Sequence, residues 1–151
     1  AGHLSENGLL PSDLEVELTE SILMEDSEQS REILSRLGAM GIHLAIDDFG
    51  TGHSSLAYLK RFNVHTLKID RSFIRDLPDD ADDSAIATAV VRLAASLKIR
   101  VVAEGVETRE QAAFLREMGC DEMQGYLLSA PLPAEAFPAW LADRVDGMET
   151  A

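Results

Sequence analysis

Short apolar runs alternate with amphipathic stretches along the whole of this chain, and each strand-like run is followed by a helical one. Leu14-Glu15-Val16-Glu17-Leu18-Thr19 alternates with the two-residue period of a strand. Behind it, Asp26 and Gln29 stand at capping-box spacing, Ile33, Leu34, Leu37 and Met40 recur at helical spacing, and Gly41 closes the helix. His43-Leu44-Ala45-Ile46 reads as a second strand, followed by a short helix that starts near Ser54 and carries Leu56, Tyr58 and Leu59. Val64-His65-Thr66-Leu67-Lys68-Ile69 is a third strand. After an acidic loop from Pro78 to Asp83, Ile86, Val90, Leu93 and Leu97 line one face of a long helix. Arg100-Val101-Val102-Ala103 is a fourth strand, apolar on both sides at its centre and so expected to be buried on both faces. Thr108 and Gln111 open the next helix as a capping box, and Gly119 ends it. Met123 to Leu128 is a fifth strand. Pro133 marks the start of a last helix, with Phe137, Trp140, Leu141 and Val145 as its apolar face.

A βα unit repeated five times implies an α/β fold with a parallel sheet and right-handed crossovers. The units run about 20–36 residues, close to the roughly 30 per unit of an eight-fold (β/α) barrel. Five units do not close such a barrel. Either the sheet is open and doubly wound, or the chain is an incomplete (β/α)8 TIM-type barrel. No linker or composition break divides residues 1–151, so one domain is expected. The start without Met points to a processed chain or a fragment.

Charge narrows the partners. Thirteen Lys and Arg stand against 27 Asp and Glu, a formal net charge of −14. That excludes a nucleic-acid polymer gripped by bulk electrostatics, because a phosphate backbone needs clustered cations. A small anionic ligand stays admissible if metal cations neutralise a carboxylate cluster first. One cysteine, Cys120, allows no internal disulfide and fits a reducing compartment. No apolar run reaches the roughly 18 residues of a membrane span, and no signal peptide is visible. The expected location is the cytoplasm, without direct membrane contact in this segment.

Polar residues gather where each strand ends. The first strand ends in Glu17 and Glu20, the second in Asp47 and Asp48, and the third in Lys68 and Asp70. The fourth ends in Glu104 and Glu107, and the fifth runs through Gln124. In parallel α/β folds these ends share one rim, where ligands bind. Taken singly, each has a plain structural explanation as a cap, a turn or a salt bridge, and only their joint placement argues for a site. Carboxylates with no His or Cys partners favour Mg²⁺ or Mn²⁺. Adjacent Asp residues suit two ions about 3.5–4 Å apart, the geometry of phosphate-ester hydrolysis. Gly50-Thr51-Gly52 reads as a flexible turn. His3, His43, His53 and His65 lack metal-ligand spacing and read as structural or surface residues, and Asp79 to Asp83 read as a solvated loop. A two-component receiver domain is excluded, since Lys68 comes one strand after the acidic pair and is followed by Ile69.

Five runs carry a specific resemblance. Glu17-Leu18-Thr19-Glu20-Ser21, Asp47-Asp48-Phe49-Gly50-Thr51-Gly52, Lys68-Ile69-Asp70-Arg71-Ser72-Phe73, Ala103-Glu104-Gly105-Val106-Glu107-Thr108 and Gln124-Gly125-Tyr126 resemble, in order and spacing, the motifs of EAL domains. These are bacterial phosphodiesterases that hydrolyse cyclic di-GMP to linear pGpG. The resemblance implies a (β/α)8-type barrel and two Mg²⁺ or Mn²⁺ ions. Glu17 resembles a ligand of the first metal, Asp47 the carboxylate bridging both, and Asp48 and Glu104 ligands of the second. Lys68 resembles the lysine that contacts the attacking water. Glu107 and Gln124 resemble residues that order water or substrate. Glu20 resembles the anchor of the loop at residues 49–55, which the family associates with homodimer contacts.

The resemblance also has gaps. His53 stands where Tyr is commoner. The signature Glu-Ala-Leu triplet and an asparagine ligand have no counterpart here. The chain is therefore expected to be the C-terminal part of a single EAL-type barrel domain. Alone, it is expected to be inactive and prone to self-association through its open strand edge. The rival readings are a non-catalytic cyclic di-GMP receptor and a dimerisation module.

Overall fold

The computed structural model describes residues 2–20, 22, 28–52, 59 and 62–148. Its strands are β1 (Glu15–Thr19), β2 (His43–Phe49), β3 (Thr66–Ile69), β4 (Arg100–Glu104) and β5 (Glu122–Gln124). The helices among the described residues are α1 (Gly2–Glu6), α2 (Glu28–Ala39), α3 (Ala81–Leu97), α4 (Arg109–Met118) and α5 (Phe137–Met148). All neighbouring strands pair in parallel, in the order β1-β2-β3-β4-β5. A doubly wound sheet reverses its order at a switch point. This sheet never reverses, so it winds in one direction, as a barrel does. The open alternative left by the sequence is settled by that order.

Strand periodicity separates two faces. Leu44, Ile46, Leu67, Ile69, Val101 and Ala103 point outward and are buried with Val90, Val91 and Ala94 of α3 and Ala112 and Leu115 of α4. The inward face is polar: Glu17 is in register with Ala45, Thr66 with Arg100, Lys68 with Val102, and Glu104 with Gln124. Burial of β4 on both faces is therefore not observed. Val101 and Ala103 are buried, Val102 is half-buried and Arg100 is exposed.

Three further expectations change. The acidic loop is partly helix: α3 starts at Ala81, and Asp80 caps it by accepting from the backbone N–H groups of Asp82 and Asp83. Asp82 and Asp83 then lie in the first turn, where the helix dipole favours negative charge. The fifth strand stops at Gln124 instead of reaching Leu128. Gly125 permits the close approach that follows, because a Cβ there would clash with the Val106 carbonyl oxygen. Val106 N–H donates to Gln124 O and Leu127 N–H to Val106 O, so the chain turns around Val106. The last helix begins at Phe137, after a turn in which Ala136 N–H donates to Pro133 O. The capping box of Thr108 and Gln111 and the left-handed Gly119 stand as the sequence reads. Asp26, Ser54, Leu56 and Tyr58 lie outside the described residues.

His65 ties the amino-terminal ends of β2 and β3. Its Nδ1 accepts the Leu44 N–H at 3.2 Å, its own N–H donates to Leu44 O, and its ring stacks on His43 at 4.4 Å. Burial holds its pKa below the usual histidine value, and the neighbouring His43 and Arg100 push the same way against Glu15. The unfolded chain takes a proton near the ordinary histidine pKa, and the folded chain resists it. Stability therefore falls as pH drops below that ordinary value, and the loss levels off below the depressed folded one. A denaturant titration should show the midpoint falling between about pH 7.5 and 5.5, and falling less in His65→Gln. Gly125→Ala should cost about 1–3 kcal/mol in the same measurement, the range for forcing atoms into a packed contact.

Candidate functional site

Lys68 lies on the inward face of β3, with its side chain 9% exposed. Its Nζ lies 2.7 Å from Glu104 Oε1, 2.8 Å from Glu17 Oε1 and 3.2 Å from Asp47 Oδ1. One ammonium thus joins carboxylates from β1, β2 and β4. Burial alone would lower the lysine pKa. The bonds from Glu104 and Glu17, with the nearby Asp47, outweigh it and hold the group above the ordinary lysine range. Lys68 is a fixed positive charge at neutral pH.

The acidic pair reaches the same place by breaking strand geometry. Neighbouring residues of a regular strand point to opposite faces. The pairing of β2 with β3 shifts register between Ile46 and Phe49, and Asp48 has a left-handed φ of 55°. That bulge turns the second carboxylate back toward the first. Asp47, Asp48 and Glu104 each offer an oxygen, and these oxygens all lie within 4.8 Å of one another. Burial raises the Asp48 pKa, and the charges of Asp47 and Asp70 raise it further. Asp70 goes the other way despite its burial. It accepts from the Ser72 backbone N–H and hydroxyl, which lower its pKa.

The rim around this cluster is held by backbone contacts. Glu20 Oε2 accepts from the N–H groups of Gly50 and Gly52 at 3.2 and 3.3 Å, tying the start of the loop after β2 to the end of β1. A side chain at Gly52 would meet Glu20 Oε1 at 2.9 Å. Residues 53–58 of that loop lie outside the described residues. Glu107 does not join the Lys68 cluster. It accepts from Arg71 Nη2 at 2.8 Å, and its N–H donates to Gln111 Oε1. Gln124 ends β5 in register with Glu104. Sequence reasoning passed over Arg71. The structure packs its stem on Gly105, where a Cβ would lie 2.4 Å from Arg71 Cγ. The available signal was a cation in a rim motif, directly after Asp70.

The donor set is made of carboxylates. Glu17, Asp47, Asp48 and Glu104 bring four negative charges against the one of Lys68, a net of −3. Asp47 Oδ1 is enclosed and makes no well-aligned hydrogen bond, although the ammonium is near. Hard oxygen donors with an unsatisfied buried oxygen among them suit a divalent cation.

A singly wound α/β sheet with a carboxylate cluster around a buried lysine at its strand ends is the class that fold and site define. The EAL domain model matches residues 2–131, and the chain belongs to that family. It is 51% identical over 139 residues to MucR of Pseudomonas aeruginosa, described as a bifunctional diguanylate cyclase/cyclic di-GMP phosphodiesterase, covering 92% of this chain and 20% of MucR. It is 51% identical over 138 residues to the cyclic di-GMP phosphodiesterase NbdA of the same organism, covering 91% of this chain and 18% of NbdA. The chain thus spans about a fifth of the length of these relatives. The structure of the MucR phosphodiesterase in complex with c-di-GMP superposes with a TM-score of 0.84 at 51% identity, over 90% of this chain and 55% of that one. Klebsiella pneumoniae BlrP1 in its manganese/cy-diGMP complex gives a TM-score of 0.80 at 40% identity, over 86% and 33%. No helix among the described residues is long and apolar enough to cross a membrane.

The raised Asp48 pKa means that its charge opposes folding. Asp48→Asn should keep the fold and raise the thermal midpoint in chelator-treated buffer at neutral pH. The same change should weaken Mn²⁺ binding by about ten-fold or more, the usual order for removing a charged partner at a metal or ion-pair site. Calorimetry and Mn²⁺ titration check the two halves.

Proposed function

We propose that this chain forms part of a cyclic di-GMP phosphodiesterase that opens the cyclic dinucleotide to linear pGpG. The observation that carries the reading is the convergence of Glu17, Asp47 and Glu104 on Lys68, with Asp48 turned toward the same point. Glu17 and Asp47 would hold one Mg²⁺ or Mn²⁺ ion, and Asp47, Asp48 and Glu104 a second. Bound there, divalent ions supply the positive charge that lets an anionic diester approach and that favours attack by water.

The chain's own groups do the rest. Lys68, within hydrogen-bond reach of Glu17 and Glu104, serves as a donor that orients the attacking water and offsets charge. Water adds to one phosphorus, the P–O3′ bond breaks, and the leaving oxygen takes a proton. Glu107 and Gln124 order water or substrate at the rim, and Arg71 fixes the position of Glu107. Glu20 anchors the loop after Asp48, through which a second copy would pair to form a homodimer. A substrate that is an intracellular messenger favours a cytoplasmic location.

The test is hydrolysis of cyclic di-GMP by the longer protein that carries these residues, with Mg²⁺ and with Mn²⁺, read by chromatography. Conversion to pGpG is the expected result, with Lys68→Ala slower by about 10²–10³-fold, the usual loss on removing one preorganised donor. Tight binding without turnover in either metal would replace the enzyme with a receptor.

A further inference from the structure

Two of the three carboxylates whose oxygens gather within 4.8 Å of one another, Asp47 and Glu104, also face the chain's own ammonium. Lys68 Nζ is 2.8 Å from Glu17 Oε1 and 2.7 Å from Glu104 Oε1, and the enclosed Asp47 Oδ1 is 3.2 Å away. A Mg²⁺ or Mn²⁺ ion binds oxygen at about 2.0–2.1 Å. An ion sharing these oxygens would lie close to a buried positive charge, and the two would repel. We propose that Lys68 is a built-in competitor for the divalent ions and so sets how tightly the site takes them, in addition to any contact with water. This inference rests on the metal-site reading given above.

The opposite role would be preorganisation, with Lys68 gathering carboxylates that would otherwise scatter. The sheet argues against it. Asp47, Glu104 and Lys68 stand on strands whose parallel register is fixed by backbone hydrogen bonds, and Glu17 is held by five residues of β1 paired to β2. The oxygens are brought together by the strands, and Lys68 draws on that arrangement. Ion binding must loosen at least one of its short bonds while the side chain stays 9% exposed, where water compensates little.

The experiment is direct Mn²⁺ titration, by electron paramagnetic resonance, of the longer protein that carries these residues, comparing wild type, Lys68→Gln and Lys68→Arg. Competition predicts that Lys68→Gln binds Mn²⁺ about ten-fold or more tightly than wild type, and that Lys68→Arg, which keeps the charge, gains nothing. Equal or weaker binding by Lys68→Gln overturns the inference and leaves the metal site standing. No Mn²⁺ bound by any of the three overturns the metal-site reading itself, and this inference with it. A second measurement needs no variant and covers a Lys68→Gln chain that fails to fold. On Mg²⁺ saturation of wild type, the Lys68 Nζ–Hζ NMR correlation should move as its bonds to Glu17 and Glu104 loosen. A correlation that stays in place while Mg²⁺ binds overturns the inference.

Discussion

Carboxylates brought to one point by neighbouring strands repel one another, and the surroundings of the site are arranged around that repulsion. Lys68 offsets it with a single buried charge bonded to Glu17 and Glu104. The ammonium depends on the carboxylates in turn, since without them burial would favour its neutral form. The remaining excess of negative charge is what suits the cluster to a divalent cation.

Several departures from regular backbone shape the surroundings of this point. Asp48 takes a left-handed conformation that few residues other than glycine adopt, and the bulge it forms aims two consecutive carboxylates the same way. Gly105 leaves room for the stem of Arg71, which pairs with Glu107. Gly125 lets the end of β5 press against the backbone of Val106, fixing where Gln124 stands. A regular strand would send one of the consecutive Asp47 and Asp48 side chains into the helix layer. The opposite end of the sheet is held by different means, through the stacked His43 and His65 rings and the Leu44 N–H.

Much of this was legible along the chain. The alternation of periods marks five strands, and Thr108, Gln111 and Gly119 mark both ends of α4 through local hydrogen bonds that involve only near neighbours. The polar strand ends mark the rim. Less legible were a cap hidden by its acidic surroundings and features set by contacts distant in sequence. Asp79 to Asp83 look like loop because charge and Pro78 dominate that stretch, yet Asp80 is a helix cap. Tyr126, Leu127 and Leu128 look like strand because they are apolar, yet Gly125 turns them away against Val106, which lies far upstream. Arg71 shows no signal of its pairing, since Glu107 is distant in the chain and close only through β3 and β4.

By itself, the sequence determined the strand and helix periods, the capping residues, the −14 charge and the set of rim side chains, since each depends on residue chemistry within a few positions. Only the tertiary structure decided that the sheet winds one way in the order β1-β2-β3-β4-β5, that Lys68 faces Glu17, Asp47 and Glu104 together, and that Asp48 leaves strand geometry to join them. Parallel pairing joins residues tens of positions apart. Which of them meet is set by register and packing across strands, and local pattern carries no record of it.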